Sequence, residues 1–112
     1  MKINGHDFDF RLTNAATAER YETALREMQQ RAEQAPQEGS LAEVIRGQTA
    51  MVKTFVDRLF GEGAYDTLGL DPDELDANLA VVQQIVDESG KQAQAIKARA
   101  GKYSPDKIRR GK

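Results

Sequence analysis

The hydrophobic pattern is strongest between Ser40 and Gly61, in the stretch SLAEVIRGQTAMVKTFVDRLFG. Apolar residues recur there at three- and four-residue spacing, often as adjacent pairs. This predicts an amphipathic helix over 41–60 whose apolar stripe contacts neighbours on two sides. Ser40 and Glu43 form a capping-box pattern at its start, and Gly61 suits a C-terminal cap. We expect this central helix to supply the core through Val44, Val52, Phe55 and Leu59.

A first helix is predicted over about 15–35, capped by Asn14 or Thr13. Its apolar positions alternate steps of three and four and so form a narrow, heptad-like seam. The seam consists of Ala18, Tyr21, Leu25, Met28, Ala32 and Ala35. The segment 36–39, which contains proline and glycine, then breaks the chain before the central helix.

A third helix is predicted over about 72–100, with Asp71 as N-cap and Pro72 as the first helical residue. A second apolar seam alternates steps of four and three along it. This seam consists of Leu75, Leu79, Val82, Val86, Ser89, Ala93, Ile96 and Ala100. The pair Ser89-Gly90 interrupts the seam, and the pattern leaves open whether the helix kinks, ends or continues there.

The first twelve residues read as a short β-hairpin. Asn4-Gly5 is the pair that best tolerates the two positive φ angles of a type I′ turn, and Phe8, Phe10 and Leu12 alternate with polar residues. Two strands are not stable alone, so the phenylalanine face must cover the helices. The predicted fold is mainly α (small α+β), with a single domain over 1–100 and a flexible basic tail over 101–112.

The charge distribution is lopsided. Residues 97–112 carry seven basic and one acidic side chain, or +6, whereas the rest of the chain carries −8, for a net charge of −2. An acidic body with a basic tail predicts contact with an acidic partner or with another copy of the same body. There is no cysteine, no apolar run long enough to span a membrane and no signal-peptide pattern, so we expect a cytoplasmic protein.

Three patterns resemble chemical sites but fit them poorly. Gly61-Glu62-Gly63 follows a helix rather than a strand and has no third glycine, so it is not a dinucleotide-binding loop. The acidic run 71–76 has leucine and aspartate where a calcium loop needs an oxygen ligand and glycine. His6 is the only histidine. We therefore expect no enzymatic activity, no metal site and no cofactor.

The far end of the third helix is the candidate interaction surface. At 1.5 Å per residue the helix 72–100 is about 43 Å long and the central helix about 30 Å, so an antiparallel pair leaves about 13 Å uncovered. Either the first helix, a fold-back at Gly90, another copy or a partner helix covers this end. The predicted contact residues are Ala93, Ile96, Ala100, Lys102, Tyr103, Lys107, Arg109 and Arg110.

Four segments carry a family resemblance: INGHDFDF, TAERYETAL, LFGEGAYDTL and KYSPDKIRR. In this order they resemble small uncharacterised proteins encoded in the tail-assembly modules of long-tailed phages and of Gram-positive prophages. The resemblance implies a tail assembly chaperone, which binds the long tape-measure protein and keeps it soluble while tail-tube subunits polymerise around it. It implies no catalytic residues.

Two other functional classes stay open. The first alternative is a structural component of the virion, such as a connector or tail-completion subunit. The second alternative is a small nucleic-acid-binding regulator that uses its basic tail for phosphate contacts and Tyr103 for stacking. The negative charge of the body opposes this last function, because it repels phosphate.

Overall fold

A computed structural model describes residues 1–35 and 38–103. It contains a two-stranded antiparallel sheet and four helices. In chain order these are β1 (Lys2–Ile3), β2 (His6–Asp7), α1 (Ala15–Gln34), α2 (Leu41–Phe60), α3 (Ala64–Thr67) and α4 (Leu75–Lys102). The predicted fold class, a helical protein with an N-terminal β-hairpin, is confirmed.

Helix α2 lies at the centre, as its broad stripe predicts. Val52, Phe55 and Leu59 are buried, and α1 and α4 both pack against this helix. Its start is capped by Ser40, whose Oγ accepts from the Glu43 N–H at 3.1 Å. The serine half of the predicted capping box is therefore formed.

The prediction that Val44 is a core residue is wrong. Val44 is only half-buried, and Leu41 at the start of α2 has 82% of its surface exposed. The connector between α2 and α4 reaches no further along α2 than Arg46, whose Nε donates to Asp73 Oδ1 at 2.9 Å. The first turn of α2 consequently extends beyond the elements that bury the rest of its stripe.

The hairpin has the predicted turn but shorter strands. Asn4 and Gly5 adopt φ angles of 50° and 81°, and Ile3 pairs with His6. Phe8 still pairs with Met1, since its N–H donates to the Met1 carbonyl at 2.9 Å. Residues 9–12 do not continue the strand, because no described strand lies opposite them. The prediction of a strand that reaches Leu12 is therefore wrong.

Gln92 of α4 takes the place of a neighbouring strand. Its Nε2 donates to the Phe10 carbonyl at 2.7 Å, and its Oε1 accepts from the Leu12 N–H at 2.8 Å. A side-chain amide offers the same donor and acceptor as a peptide group, so it satisfies the extended backbone. Phe8 and Phe10 still share a face, since both pack against Phe60 with ring centroids 4.6 and 6.0 Å away.

The segment after α2 runs back along that helix. Asp57 Oδ1 accepts from the Tyr65 N–H at 2.9 Å, and further back Thr49 Oγ1 donates to the Pro72 carbonyl at 2.6 Å. Helix α4 therefore starts beside the first half of α2 and runs parallel to it. The expected antiparallel arrangement of these two helices is wrong, and the short helix α3 within the connector was not predicted.

Helix α4 begins three residues later than predicted, at Leu75 rather than at Pro72. Asp71 does not cap it. The Asp71 side chain instead accepts from the Asp73 N–H at 2.9 Å within a tight turn, which the Glu74 N–H closes onto the Asp71 carbonyl. Residues 71–74 use their polar groups for this turn, so the helix cannot start earlier.

Helix α4 is continuous through Gly90 and ends at Lys102. It spans 28 residues against 20 in α2, so it is about 12 Å longer. The excess lies at its C-terminal end, where the predicted overhang is indeed found. Within the part of the chain that the structure describes, no helix is long and apolar enough to cross a membrane.

Candidate helix-binding groove

The face that α4 turns towards α2 is not its heptad seam. Three buried residues of α4, Asn78, Val81 and Ile85, lie one position before a seam residue, and the fourth, Ser89, belongs to the seam. Most seam residues are only half-buried, and Leu79 has 43% of its surface exposed. Apart from Ser89, the seam residues therefore remain available for a contact with a helix other than α2.

The buried face of α4 contains polar residues, and Asn78 shows how hydrogen bonds satisfy them. It is fully buried and donates through Nδ2 to the carbonyls of Asp71 and Glu74, at 2.9 and 2.6 Å. Its Oδ1 accepts from the Tyr65 hydroxyl at 2.7 Å. Burial raises the pKa of Tyr65, since ionisation would place a charge in the core. This network fixes the start of α4 and hence the direction of its seam.

The seam faces the boundary between α1 and α4, where two hollows lie. The first has a volume of about 150 Å³ and an almost entirely apolar wall. Helix α2 forms its floor through Met51 and Val52. Its sides come from α1 and α4, through Met28, Ala32, Leu79 and Val82.

The second hollow lies towards the C-terminal half of α4 and has a volume of about 370 Å³. Its apolar wall consists of Leu12, Ala18, Tyr21, Ala93 and Ile96, with Glu22 and Lys97 beside it. A hydrogen bond of 2.8 Å between the Tyr21 hydroxyl and Ser89 Oγ separates the two hollows. We call the two hollows together the α1–α4 groove.

The predicted contact residues divide into three groups. Ala93 and Ile96 line the α1–α4 groove, where α1 covers them in part. Ala100, Lys102 and Tyr103 lie at the exposed end of α4, and 65% of the Tyr103 surface is accessible. Lys107, Arg109 and Arg110 lie outside the described residues.

The end of α4 continues the seam as a basic helix. Tyr103 follows Ala100 at a step of three, as Ile96 follows Ala93, and Lys102 Nζ lies 5.9 Å from the centre of the Tyr103 ring. From 91 to 103 the described chain has four basic residues, Lys91, Lys97, Arg99 and Lys102, and no acidic one. This end therefore combines an apolar edge with positive charge.

One part of the groove was not predicted as a site. Met28 and Met51 were assigned to helix stripes but not to an interaction surface. Both are half-buried in the first hollow. Methionine is flexible and polarisable, so such a wall adapts to apolar side chains of different shape.

The residues that suggested other chemistry have structural contacts. Asp71 closes its turn, and Asp73 forms an ion pair with Arg46 that raises the pKa of the arginine. His6 is exposed on β2. Within 1–35 and 38–103, no group of three or more histidine, aspartate or glutamate side chains is arranged to hold a metal ion.

Comparison with known proteins shows that a family model matches residues 4–112. The chain belongs to DUF6673, a family of unknown function. No curated protein and no solved structure is significantly similar to it. Membership of DUF6673 therefore groups this chain with its relatives and assigns it no activity.

Proposed function

We propose that this DUF6673 protein is a non-enzymatic tail assembly chaperone that binds an amphipathic helix of a phage tape-measure protein. The resemblance of its four sequence segments to proteins of tail-assembly modules supports the biological setting. Tail assembly takes place in the bacterial host, so the proposal includes a cytoplasmic location. The binding of a helix is supported by the heptad seam of α4, most of whose residues are only half-buried along the α1–α4 groove.

A groove between two helices suits one task, the reversible binding of a third helix. Apolar side chains of the client at i, i+3, i+4 and i+7 enter the groove. Met28 and Met51 adapt to different client residues, and Lys97 and Arg99 remain in water beside the seam. Binding of this kind shields the apolar face of a long client without any covalent step.

The test is co-expression with a candidate client, the product of a very long helical coding sequence if one lies immediately downstream of this gene. The variant Ile96→Glu places a charge in the second hollow, and Gln94→Glu places the same charge on an exposed position of α4 away from the seam. We expect the wild-type protein and Gln94→Glu to keep the client soluble and to co-purify with it. Ile96→Glu should lose most of this capture while its circular dichroism stays helical. Equal capture by all three proteins would overturn the proposal.

Two alternatives have separate tests. Mass spectrometry of purified virions distinguishes a chaperone, which is absent from finished particles, from a structural tail component, which is present. The basic end of α4 favours nucleic-acid binding as the second alternative. In that case the double variant Lys97→Glu/Arg99→Glu abolishes a salt-sensitive gel shift of single-stranded DNA that the wild-type protein produces.

A further inference from the structure

We infer that two copies of this chain pair through α4 in antiparallel orientation, so that each α4 lies along the α1–α4 groove of the other. The occupant of the groove is thus a second copy. This inference does not depend on the proposed chaperone function, because it concerns the protein without a client. It rests on the seam of α4, on the sizes of the seam residues and on the charges beside them.

The steps of three and four continue from Leu75 to Tyr103, over 29 positions, and only the polar Ser89 interrupts the apolar series. A repeat of this length at steps of three and four predicts helix–helix packing along its whole length. Contact with α2 occupies the neighbouring stripe, and α1 covers the seam only in part, chiefly where Tyr21 meets Ser89. A further helix along the groove would complete its burial.

The two halves of the seam differ in size. The first half is large, with Leu79, Val82 and Val86, whereas Ala93 and Ala100 make the second half small. In a parallel pair, each large residue faces itself and each alanine faces an alanine. In an antiparallel pair, the register that sets Val82 against Ala93 also sets Leu75 against Ala100 and Val86 against Ser89, whereas Leu79 faces Ile96. This alternation gives closer packing.

The charges of α4 select the same orientation. Acidic residues occupy its first half at Asp76, Asp87 and Glu88, and its second half is basic from Lys91 onwards. A parallel pair places like charges together, which opposes association. The antiparallel register above places Asp76 of one copy beside Lys97 of the other, twice in the dimer, because a two-fold interface repeats every contact.

Engineered cysteines test the orientation directly, because the chain has no cysteine of its own. The double variant Asp76→Cys/Lys97→Cys should form a disulfide-linked dimer under mild oxidation. The single variant Asp76→Cys should not, because in the antiparallel pair the two copies of position 76 lie roughly 30 Å apart. Crosslinking of the single variant, or no crosslinking of the double variant, would overturn the inference.

Charge exchange gives an independent test by sedimentation equilibrium. Asp76→Lys and Lys97→Asp each convert two attractive contacts into repulsive ones, and each should weaken the dimer Kd about tenfold. The combined variant Asp76→Lys/Lys97→Asp restores opposite charges and should restore the wild-type Kd. A combined variant that remains as weak as the single ones contradicts the antiparallel register.

A seam variant controls for folding. Leu79→Glu should give a monomer, whereas Ala80→Glu, on an exposed position beside the seam, should dimerise normally. Both should keep their helical circular dichroism, since neither residue is buried. If the wild-type protein is monomeric at 100 μM, the inference is wrong, yet the chaperone proposal stands, because capture of a client needs no dimer.

Discussion

At the scale of single residues, burial separates positions that look alike in the sequence. Phe55 and Val44 lie on the same predicted stripe of α2, but Phe55 is buried and Val44 is only half-buried. Periodicity identifies the face of a helix. It does not show how far along that face the neighbouring elements extend, because the connector and its turn depend on tertiary contacts.

Truncation of these two residues tests the difference. Phe55→Ala removes a fully buried ring and should lower the free energy of unfolding by about 3–5 kcal/mol. Val44→Ala should lower it by less than about 1 kcal/mol, because solvent already reaches the side chain. Urea denaturation followed by circular dichroism measures both values. Equal losses would show that α2 is not the centre of the core.

Tyr65 gives a test that depends on pH. Its ordinary pKa is 10.0, and burial raises the pKa in the folded protein. The stability from neutral Tyr65 is complete below pH 10 and is lost as pH rises through the folded pKa, because the unfolded chain loses its proton first. Tyr65→Phe should be less stable than wild type by about 1–3 kcal/mol at pH 7, and this difference should narrow above pH 10.

Tyr103→Phe is the matched control for that experiment. Tyr103 is exposed, so removal of its hydroxyl should leave the free energy of unfolding at pH 7 unchanged. A Tyr65→Phe variant whose deficit stays constant up to pH 11 would show that ionisation of Tyr65 does not destabilise the fold.

At the scale of elements, the sequence predicts the three long helices well and their junctions poorly. The limits of α1 and α2 agree with the prediction to within a residue, because side-chain caps and apolar repeats are local signals. The start of α4 was misplaced because Asp71 and Pro72 suit a turn as well as a helix start. The choice between these depends on Thr49 and Asn78, which contact the turn from other elements.

The candidate site was predicted in part for a similar reason. Ala93 and Ile96 were identified from the seam, and they do line the groove. Met28 and Met51, which line the groove opposite the seam, were not predicted. The apolar repeat of one helix does not show which other helices cover it and which part stays uncovered. The stripe of α4 that packs against α2 contains polar residues such as Asn78, so a search for apolar repeats does not identify this stripe. Hydrogen bonds satisfy these polar groups in the fold.

The continuity of α4 leads to a prediction at Gly90. Glycine inside a helix is less favourable than alanine by up to about 1 kcal/mol, and an added Cβ meets no atom here. In the monomeric background of Leu79→Glu, Gly90→Ala should therefore raise the free energy of unfolding by about 0.5–1 kcal/mol. Thermal denaturation measures the change. A lower midpoint would show that α4 needs a flexible joint at this position.

At the scale of the whole molecule, hydrogen bonds join distant parts of the chain. Gln92 binds Phe10 and Leu12, and Gln84 Nε2 donates to the Lys2 carbonyl at 2.8 Å. Two glutamines of α4 therefore attach the N-terminal segment to the helical layer. The apolar contacts of Phe8 and Phe10 with Phe60 accompany this attachment.

Removal of one glutamine tests the attachment. Gln92→Ala leaves the Leu12 N–H and the Phe10 carbonyl without their partner, so amide exchange at Leu12 should accelerate at least tenfold. The exposed Gln94→Ala should leave this rate unchanged. Hydrogen exchange measured by NMR reports the rate at Leu12. No acceleration in Gln92→Ala would mean that the apolar contacts alone hold the segment.

The attachment to Gln92 also sets an order of events during synthesis. The bond between Phe10 and Gln92 joins residues 82 positions apart, so at about 5–20 residues per second the ribosome needs roughly 4–16 s between them. The rings of Phe8 and Phe10 pack on Phe60, which is made before α4, so their aromatic partner is present earlier than Gln92. The rings can therefore reach their place once α2 has been made, whereas the backbone of Phe10 and Leu12 is fixed only after α4 has been made.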